Sequence, residues 1–252
     1  MLVLGVIPAR LGSTRLPRKP LQLLGGEPLI VRVLARALAI GVADEVVVAT
    51  DSPEIKAVVE QTGGSAVITS SVHESGTERV GEVVSRAEYA RFDIVLNIQG
   101  DEPFLPKAAA VGAVDRVIQG ADVGTAAAPL DPALADDPAR VKVVMDRSGR
   151  ALYFSRACIP FRRDRAVPAG SSLWQHLGVY AYRRDALRRW VTSPPSELEQ
   201  IERLEQLRAL EIGLRIDVAR LDGAAAPGID TAEDLARAEE TWQAFATGEE
   251  LR

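Results

Sequence analysis

Through the first half of the chain, short β-branched runs bounded by turn residues alternate with helix-length amphipathic segments. That rhythm is what a largely parallel sheet covered by helices requires. The runs are Leu2 to Ile7, Glu45 to Thr50, Ala66 to Thr69 and Asp93 to Ile98, and between them lie helix candidates at Pro28 to Ile40, Pro53 to Thr62 and Thr77 to Ala90. Ser52 can accept the free amides at a helix start, and Pro53 has the fixed φ that suits a first helical position. The expected fold is α/β, a mostly parallel central sheet flanked by helices.

The second half changes rhythm. Asp122 to Ala128, Val141 to Asp146, Ala151 to Ser155 and His176 to Tyr182 read as strands separated by less helix, and Asp146-Arg147-Ser148-Gly149 is turn chemistry that signals an antiparallel excursion. Ser196 to Gly213 reads as one helix, opened by Pro194-Pro195 and capped by Ser196 with Glu199 three residues on, carrying Leu198, Ile201, Leu204 and Leu207 inward. A strand at Leu214 to Ala219 and a helix at Thr231 to Phe245 follow, with no internal repeat or low-complexity tract. The expected organisation is a single domain over residues 1–252, with an inserted subregion at about 150–195 suited to dimerisation.

Composition narrows the function. With 252 residues the chain is long enough to bury a core, and its 30 Lys+Arg against 35 Asp+Glu, net −5, argue against a whole-surface nucleic-acid binder. Apolar runs such as Val46 to Ala49 fall far short of the ~18 residues a membrane span needs. Met1 to Pro8 is apolar but lacks the basic start of a secretory signal, so it reads as a buried strand. Cys158 is the one cysteine, which excludes an intrachain disulfide and a four-cysteine zinc site and makes the cytoplasm the default location. The two histidines, His73 and His176, leave little for a histidine-rich metal site.

Three segments carry chemistry. The loop Pro8 to Pro20 holds Arg10, Arg15, Arg18 and Lys19 and no acid. It follows the first strand, where open α/β sheets bind ligands, and its guanidinium forks, ammonium and the backbone access at Gly12 suit the phosphates of a nucleoside triphosphate. A solvated basic loop is the plain alternative. Neither G-x-G-x-x-G nor G-x-x-x-x-G-K-[ST] occurs, which moves dehydrogenases and P-loop NTPases down the order. The second segment, Ile94 to Pro103, is an apolar strand ending in Gly100-Asp101-Glu102; Asp101 is suited to Mg²⁺ or to capping a turn, and Glu102 to a solvated neighbour. In the third, Pro227 to Asp234, a capping box of Thr231 and Asp234 leaves Asp230 over, placed to add a second carboxylate.

Other polar residues lie among apolar neighbours. Arg156 at a strand end can pair with an acidic substrate, whereas His176 and Glu205 each have an ordinary structural reading. Ser75-Gly76-Thr77-Glu78-Arg79 reads as a helix start with Thr77 near the cap, and its hydroxyls and amides also suit a nucleotide.

Taken in order, Val6-Ile7-Pro8-Ala9-Arg10, Ser13-Thr14-Arg15-Leu16-Pro17, Lys19-Pro20-Leu21, Ala49-Thr50-Asp51, Ser75 to Arg79, Asn97 to Pro103, Val141 to Val144, Ala151 to Arg156, His176 to Tyr180, Leu204 to Arg208 and Gly228 to Thr231 resemble the 3-deoxy-D-manno-octulosonate (Kdo) cytidylyltransferase family over essentially the whole chain. Each motif is weak alone; the ordered set is specific. The resemblance implies a nucleotidyltransferase fold, the reaction of CTP with Kdo to CMP-Kdo and pyrophosphate, Mg²⁺ as cofactor, a role in lipopolysaccharide biosynthesis in the cytoplasm, and a homodimer. By position it implies Arg10, Ser13, Arg15 and Lys19 for the CTP loop, Ser75 and Gln99 for cytidine, and Asp101 and Asp230 for the metal. Lys19, Asp101 and Asp230 are the implied catalytic set. Arg156, Gln175, His176, Tyr180, Glu205 and Gln206 fall in the implied sugar-acid pocket, within or beside the 150–195 subregion.

Two departures stand out: Arg18 where Gly is common, and Ala139 where Asn commonly precedes Val-Lys-Val-Val. A cytidylyltransferase for another sugar acid, and an inert nucleotide-binding module, are the rival readings. A glycosyltransferase is disfavoured because no D-x-D triplet follows a mid-chain strand.

Overall fold

The apolar N-terminal run forms strand β1 (Val3–Ala9), buried along almost its whole length. A strand buried on both faces reads as a continuous apolar run, as parallel sheets covered by helices demand. The computed structural model describes residues 1–13, 15–161, 163, 173–224 and 226–246, and the chain divides into two units, Met1–Leu105 with Ala226–Arg252, and Pro106–Ala225.

In the first unit β1 pairs in parallel with β4 (Glu45–Thr50) and with β6 (Ile94–Asn97), so that Gly5 lies opposite Val46 and Leu96. β5 (Ser65–Ile68) continues the sheet beyond β4, again in parallel. A small antiparallel pair, β2 (Leu23–Leu24) and β3 (Glu27–Pro28), leads into α1 (Leu29–Ile40). α2 (Pro53–Gln61) is capped as expected, Ser52 Oγ accepting from the Ile55 amide at 3.3 Å. The next helix differs from expectation. α3 (Gly76–Ser85) is capped by Ser75, Thr77 is buried inside it, and extended backbone at Arg86 ends it before a separate turn at Ala87–Tyr89. Helix α8 (Ala232–Ala246) belongs to this unit; Glu239 accepts from the Gly25 amide at 2.8 Å, and Trp242 lies against Phe104.

The second unit begins with α4 (Lys107–Ile118) and β7 (Val123–Pro129). Neither α4 nor α5 (Arg184–Thr192) has a side-chain N-cap; the inner face of α4 is mainly alanine, which periodicity leaves unmarked, whereas α5 turns Ala186, Leu187 and Trp190 inward at helical spacing and is still not among the expected elements. β7 pairs with β10 (Trp174–Arg183) antiparallel and with β11 (Ile216–Arg220) parallel. β8 (Lys142–Met145) and β9 (Ala151–Ser155) form the expected antiparallel excursion. Asp146 Oδ1 accepts from the Ser148 and Arg150 amides, and Gly149 has a φ of 90°, in the left-handed region.

The single helix expected across Ser196 to Gly213 is two helices, α6 (Glu197–Glu202) and α7 (Gln206–Glu211), separated at Arg203, whose φ is 54°. The capping box of Ser196 and Glu199 is present. Leu204 and Leu207 face inward as expected, but Ile201 is 69% exposed and Leu198 only partly covered. The reason is Glu199, the buried residue of α6, whose carboxylate takes both Arg208 Nε at 2.6 Å and Arg208 Nη2 at 2.5 Å. That pair turns the inner face of α6 toward a charge rather than toward Ile201.

Among the described residues no helix is long and apolar enough to cross a membrane. Glu199→Gln keeps the shape and the cap but strands a buried guanidinium. It is expected to lower unfolding free energy by about 3 kcal/mol in urea titration, and an unchanged midpoint would show that the pair contributes nothing.

Candidate active site

Two strand ends and one return loop assemble the first unit's polar cluster. β1 and β6 run parallel and in register, so Pro8 and Gly100 emerge at the same rim. Gly100 has to be glycine there: a Cβ would lie 2.8 Å from the Pro8 carbonyl oxygen, closer than side chains ever come to a backbone oxygen. The close approach sets Asp101 beside the basic loop. The third strand of chain arrives when the Ile229 amide donates to the Asp101 carbonyl at 3.0 Å, with Ile229 buried. Thr231 and Asp234 form the expected reciprocal cap of α8 at 3.1 and 2.9 Å, which leaves the Asp230 side chain for other partners.

Those partners are cations of the first loop. Lys19 Nζ donates to Asp101 Oδ2 at 2.5 Å and to Asp230 Oδ1 at 3.0 Å, and Arg15 Nη2 lies 3.1 Å from Asp230 Oδ2. Burial works against the Lys19 charge, yet the two carboxylates outweigh it and hold the ammonium above its ordinary pKa. Glu102 corrects the expectation of a solvated neighbour. It is partly buried, its Oε1 close enough to Gly228 that a Cβ there would come within 3.1 Å. Burial and then the charges of Asp101 and Asp230 push its carboxyl up to about 8.

The rest of the basic loop divides its work. Arg10 and Arg15 are exposed; Ser13 Oγ accepts from the Leu16 amide at 3.4 Å; Thr14 lies outside the described residues. Arg18 is turned away to Glu54, and its φ of 55° is left-handed. That backbone explains why glycine suits the position, since an L side chain there costs about 1 kcal/mol. Ser75 and Gln99 are brought to the same rim, for a Cβ on Gly76 would lie 3.2 Å from Pro8 Cγ and 3.8 Å from Gln99 Oε1. Sequence reasoning passed over the clamp that holds this helix start. Arg79, buried, donates to Thr69 Oγ1 at 2.5 Å and to Asp51 Oδ2 at 3.1 Å, although Arg79 and Asp51 both lie within motifs quoted above.

In the second unit Arg156 stands at the end of β9, where its guanidinium donates to the carbonyls of Glu202 at 2.7 Å, Pro138 at 2.9 Å and Arg203 at 3.2 Å. Glu202, which the uninterrupted helix had hidden, also accepts from Ser155 Oγ and the Arg156 amide. Gln175 Oε1 accepts from Arg140 Nη1 at 2.9 Å. Glu205 is partly buried and Gln206 buried at the start of α7. Ala139, the second departure, donates its amide to Asp137 Oδ1 at 2.9 Å.

His176 and Tyr180 lie deeper. Both are buried in an aromatic group, with the His176 ring 5.0 Å from Phe154 and 5.3 Å from Tyr180. Thr125 Oγ1 has one proton and carbonyl acceptors at Val179 (2.7 Å) and Leu177 (3.3 Å), so toward His176 Nε2 at 2.9 Å it accepts. His176 is therefore the neutral Nε2–H tautomer, and burial pushes it down to about 3. Burial likewise raises the Tyr180 hydroxyl well above its ordinary value.

A family model described as cytidylyltransferase matches residues 4–216. A 3-deoxy-manno-octulosonate cytidylyltransferase of Gemmatimonas aurantiaca is 54% identical over 96% of this chain and 95% of its own length. The chain belongs to the 3-deoxy-manno-octulosonate cytidylyltransferase family. A relative of that name from Yersinia pseudotuberculosis is 46% identical, covering 94% of this chain and 97% of its own. The structure of a CMP:2-keto-3-deoxy-manno-octonic acid synthetase complexed with CTP superposes with a TM-score of 0.89 at 38% identity, over 96% of this chain and 99% of that one. The α/β nucleotidyltransferase fold expected from sequence is thereby established.

Among the described residues no group of three or more His, Cys, Asp or Glu is arranged to hold a metal. Asp101 and Asp230, however, converge on one nitrogen, the first from the end of β6 and the second from the loop before α8. Two hard oxygen donors are the chemistry that suits Mg²⁺, which usually keeps waters and completes its shell with substrate phosphates.

The buried histidine carries a prediction. Its folded pKa lies below the unfolded value near 6.5, so the unfolded chain binds the extra proton. The His176 contribution is intact above about 6.5 and is lost as pH falls toward 3. Unfolding free energy should drop by about 1 kcal/mol per pH unit across that window. His176→Phe is expected to flatten the limb, and identical slopes in the two proteins would contradict the assignment.

Proposed function

We propose that this cytidylyltransferase transfers the cytidylyl group of CTP to Kdo, releasing pyrophosphate and supplying CMP-Kdo for lipopolysaccharide biosynthesis. The observation that carries the reading is Lys19 held between Asp101 and Asp230 at the rim where β1 and β6 end. CTP and a sugar acid are both anionic, and their approach needs charge compensation. Arg10, Ser13, Arg15 and Lys19 bind the triphosphate, with Lys19 nearest the reacting phosphate. Ser75 and Gln99 take the cytidine. The Ser75 oxygen accepts from the Glu78 amide, which leaves its O–H to donate to the base.

Asp101 and Asp230 hold Mg²⁺, which when bound neutralises phosphate charge and favours the ionised form of the attacking hydroxyl. The anomeric C2 oxygen of Kdo forms the new bond to the α-phosphorus as the bond from α-phosphorus to the bridging β-oxygen breaks. The hydroxyl proton leaves to solvent, and pyrophosphate takes the electron pair. No histidine base and no covalent enzyme intermediate are needed. His176, neutral and buried, is suited to shape the sugar-acid pocket rather than to move a proton.

Arg156, Gln175, His176, Tyr180, Glu205 and Gln206 form the sugar-acid pocket in this reading. We take residues 1–252 as one functional domain acting as a cytoplasmic homodimer, with the subregion of about 150–195 serving both substrate and dimer contact; within it, residues 162 and 164–172 lie outside the described residues.

Pyrophosphate release measured across CTP, UTP, GTP and ATP, each with Kdo, an amino-substituted Kdo analogue and a sialic acid, should give full turnover for CTP with Kdo. Preference for another sugar acid would move the substrate within the class, and no release with any pair would leave an inert binding module. Asp101→Asn should lower turnover by more than about tenfold with the fold intact. Near-normal turnover in that variant with Mg²⁺ bound would remove Asp101 from the metal site.

A further inference from the structure

Val141-Lys142-Val143-Val144 is a motif to which the reaction gives no task, and the side chain of Lys142 is fully buried. Lysine is almost never found there without a compensating partner. Among the described residues no carboxylate accepts from its ammonium. Lys142 Nζ instead donates to two main-chain carbonyls, Arg156 at 2.5 Å and Asp137 at 3.0 Å. The first lies at the end of β9 and the second in the turn that precedes β8, so one ammonium ties together the two segments that flank its own strand.

Four of the six residues read as the sugar-acid pocket hang from those segments. Arg156 is held by its own carbonyl and in turn reaches Pro138 in the same turn and Glu202 and Arg203 at the junction of α6 and α7. Arg140, at the end of that turn, donates to Gln175. Glu205 and Gln206 open α7 directly after the junction that Arg156 grips. The guanidinium of Arg156 offers five N–H groups, of which three are donated to backbone, so it can still present donors to a carboxylate.

We propose that Lys142 is a positioning residue for the sugar acid, setting the main chain from which Arg156 and Gln175 reach it. The proposal rests on the reading of those residues as the sugar-acid pocket. A four-methylene stem with several donors at its tip is what spans two carbonyls from beneath a strand; methionine has the length without the donor, and glutamine a donor without the length.

Steady-state kinetics on Lys142→Met test this, with thermal unfolding followed in parallel. The KM for Kdo should rise about tenfold or more while the KM for CTP moves less than about twofold, and Lys142→Gln should fall between wild type and Lys142→Met. Equal rises for both substrates, or lower stability with both KM values unchanged, would overturn the proposal. Hydrogen exchange on the wild-type enzyme needs no variant to fold: adding Kdo should slow the amides of 139–142, 155–157 and 203–206, and unchanged exchange there at saturating Kdo would equally overturn it. A wild-type enzyme that turns over a different sugar acid refutes the Kdo reading alone, and the same kinetics and exchange with that sugar acid then decide the role of Lys142.

Discussion

One ammonium group holds together three stretches of chain that are far apart in sequence. Lys19 meets Asp101 across 82 positions and Asp230 across 211. Two carboxylates brought to one nitrogen repel each other, and a cation between them offsets that repulsion. Lys19 is that cation, and the next acid in line, Glu102, is driven up to about 8 by its burial and then by the charges of Asp101 and Asp230, against the pull of Lys19. The parallel register of β1 with β6, the bare backbone of Gly100 against Pro8 and the amide of Ile229 on Asp101 all serve to make that meeting possible.

Among the described residues the covered cations are satisfied by two kinds of chemistry. Lys19 and Arg79 face carboxylates, Asp101 and Asp230 for the one and Asp51 for the other, as Arg208 faces Glu199. Lys142 and Arg156, like Arg32 in the first unit, face main-chain carbonyls. A carbonyl dipole does not titrate, so the Lys142 and Arg156 contacts keep their acceptors at any pH that leaves the fold intact. Carboxylate contacts weaken when the acid is protonated.

How much of this was legible in the sequence follows from where its signals lie. β4 and β9 were read to the residue, and α1 and α2 within one residue at each end, because β-branched runs and Ser52-Pro53 are local signals. α4 leaves little local trace because its inner face is mainly alanine and its start uncapped, while α5, equally absent from the expected elements, was legible in the spacing of Ala186, Leu187 and Trp190 and lacked only a capped start. The break at Arg203 was hidden because the apolar spacing runs through it, while the cause is a pair nine residues apart, Glu199 with Arg208. The same division governs the site. Asp101 and the basic loop announce themselves at strand ends, but the turning of Arg18 to Glu54, the covering of Glu102 and the backbone knot under Lys142 depend on contacts made only after folding.

The first unit is built from both ends of the chain, and this has a consequence for the order in which the protein is made. A ribosome delivers the loop with Lys19 first and Asp101 next, then the whole of Pro106–Ala225, and Asp230 only afterwards. Until that last stretch emerges, the emerging chain holds one carboxylate opposite Lys19 and lacks Ile229 to cover it. A product that stops short in the second unit is thus left without half of the carboxylate pair, and synthesis through Asp230 becomes the condition for assembling it.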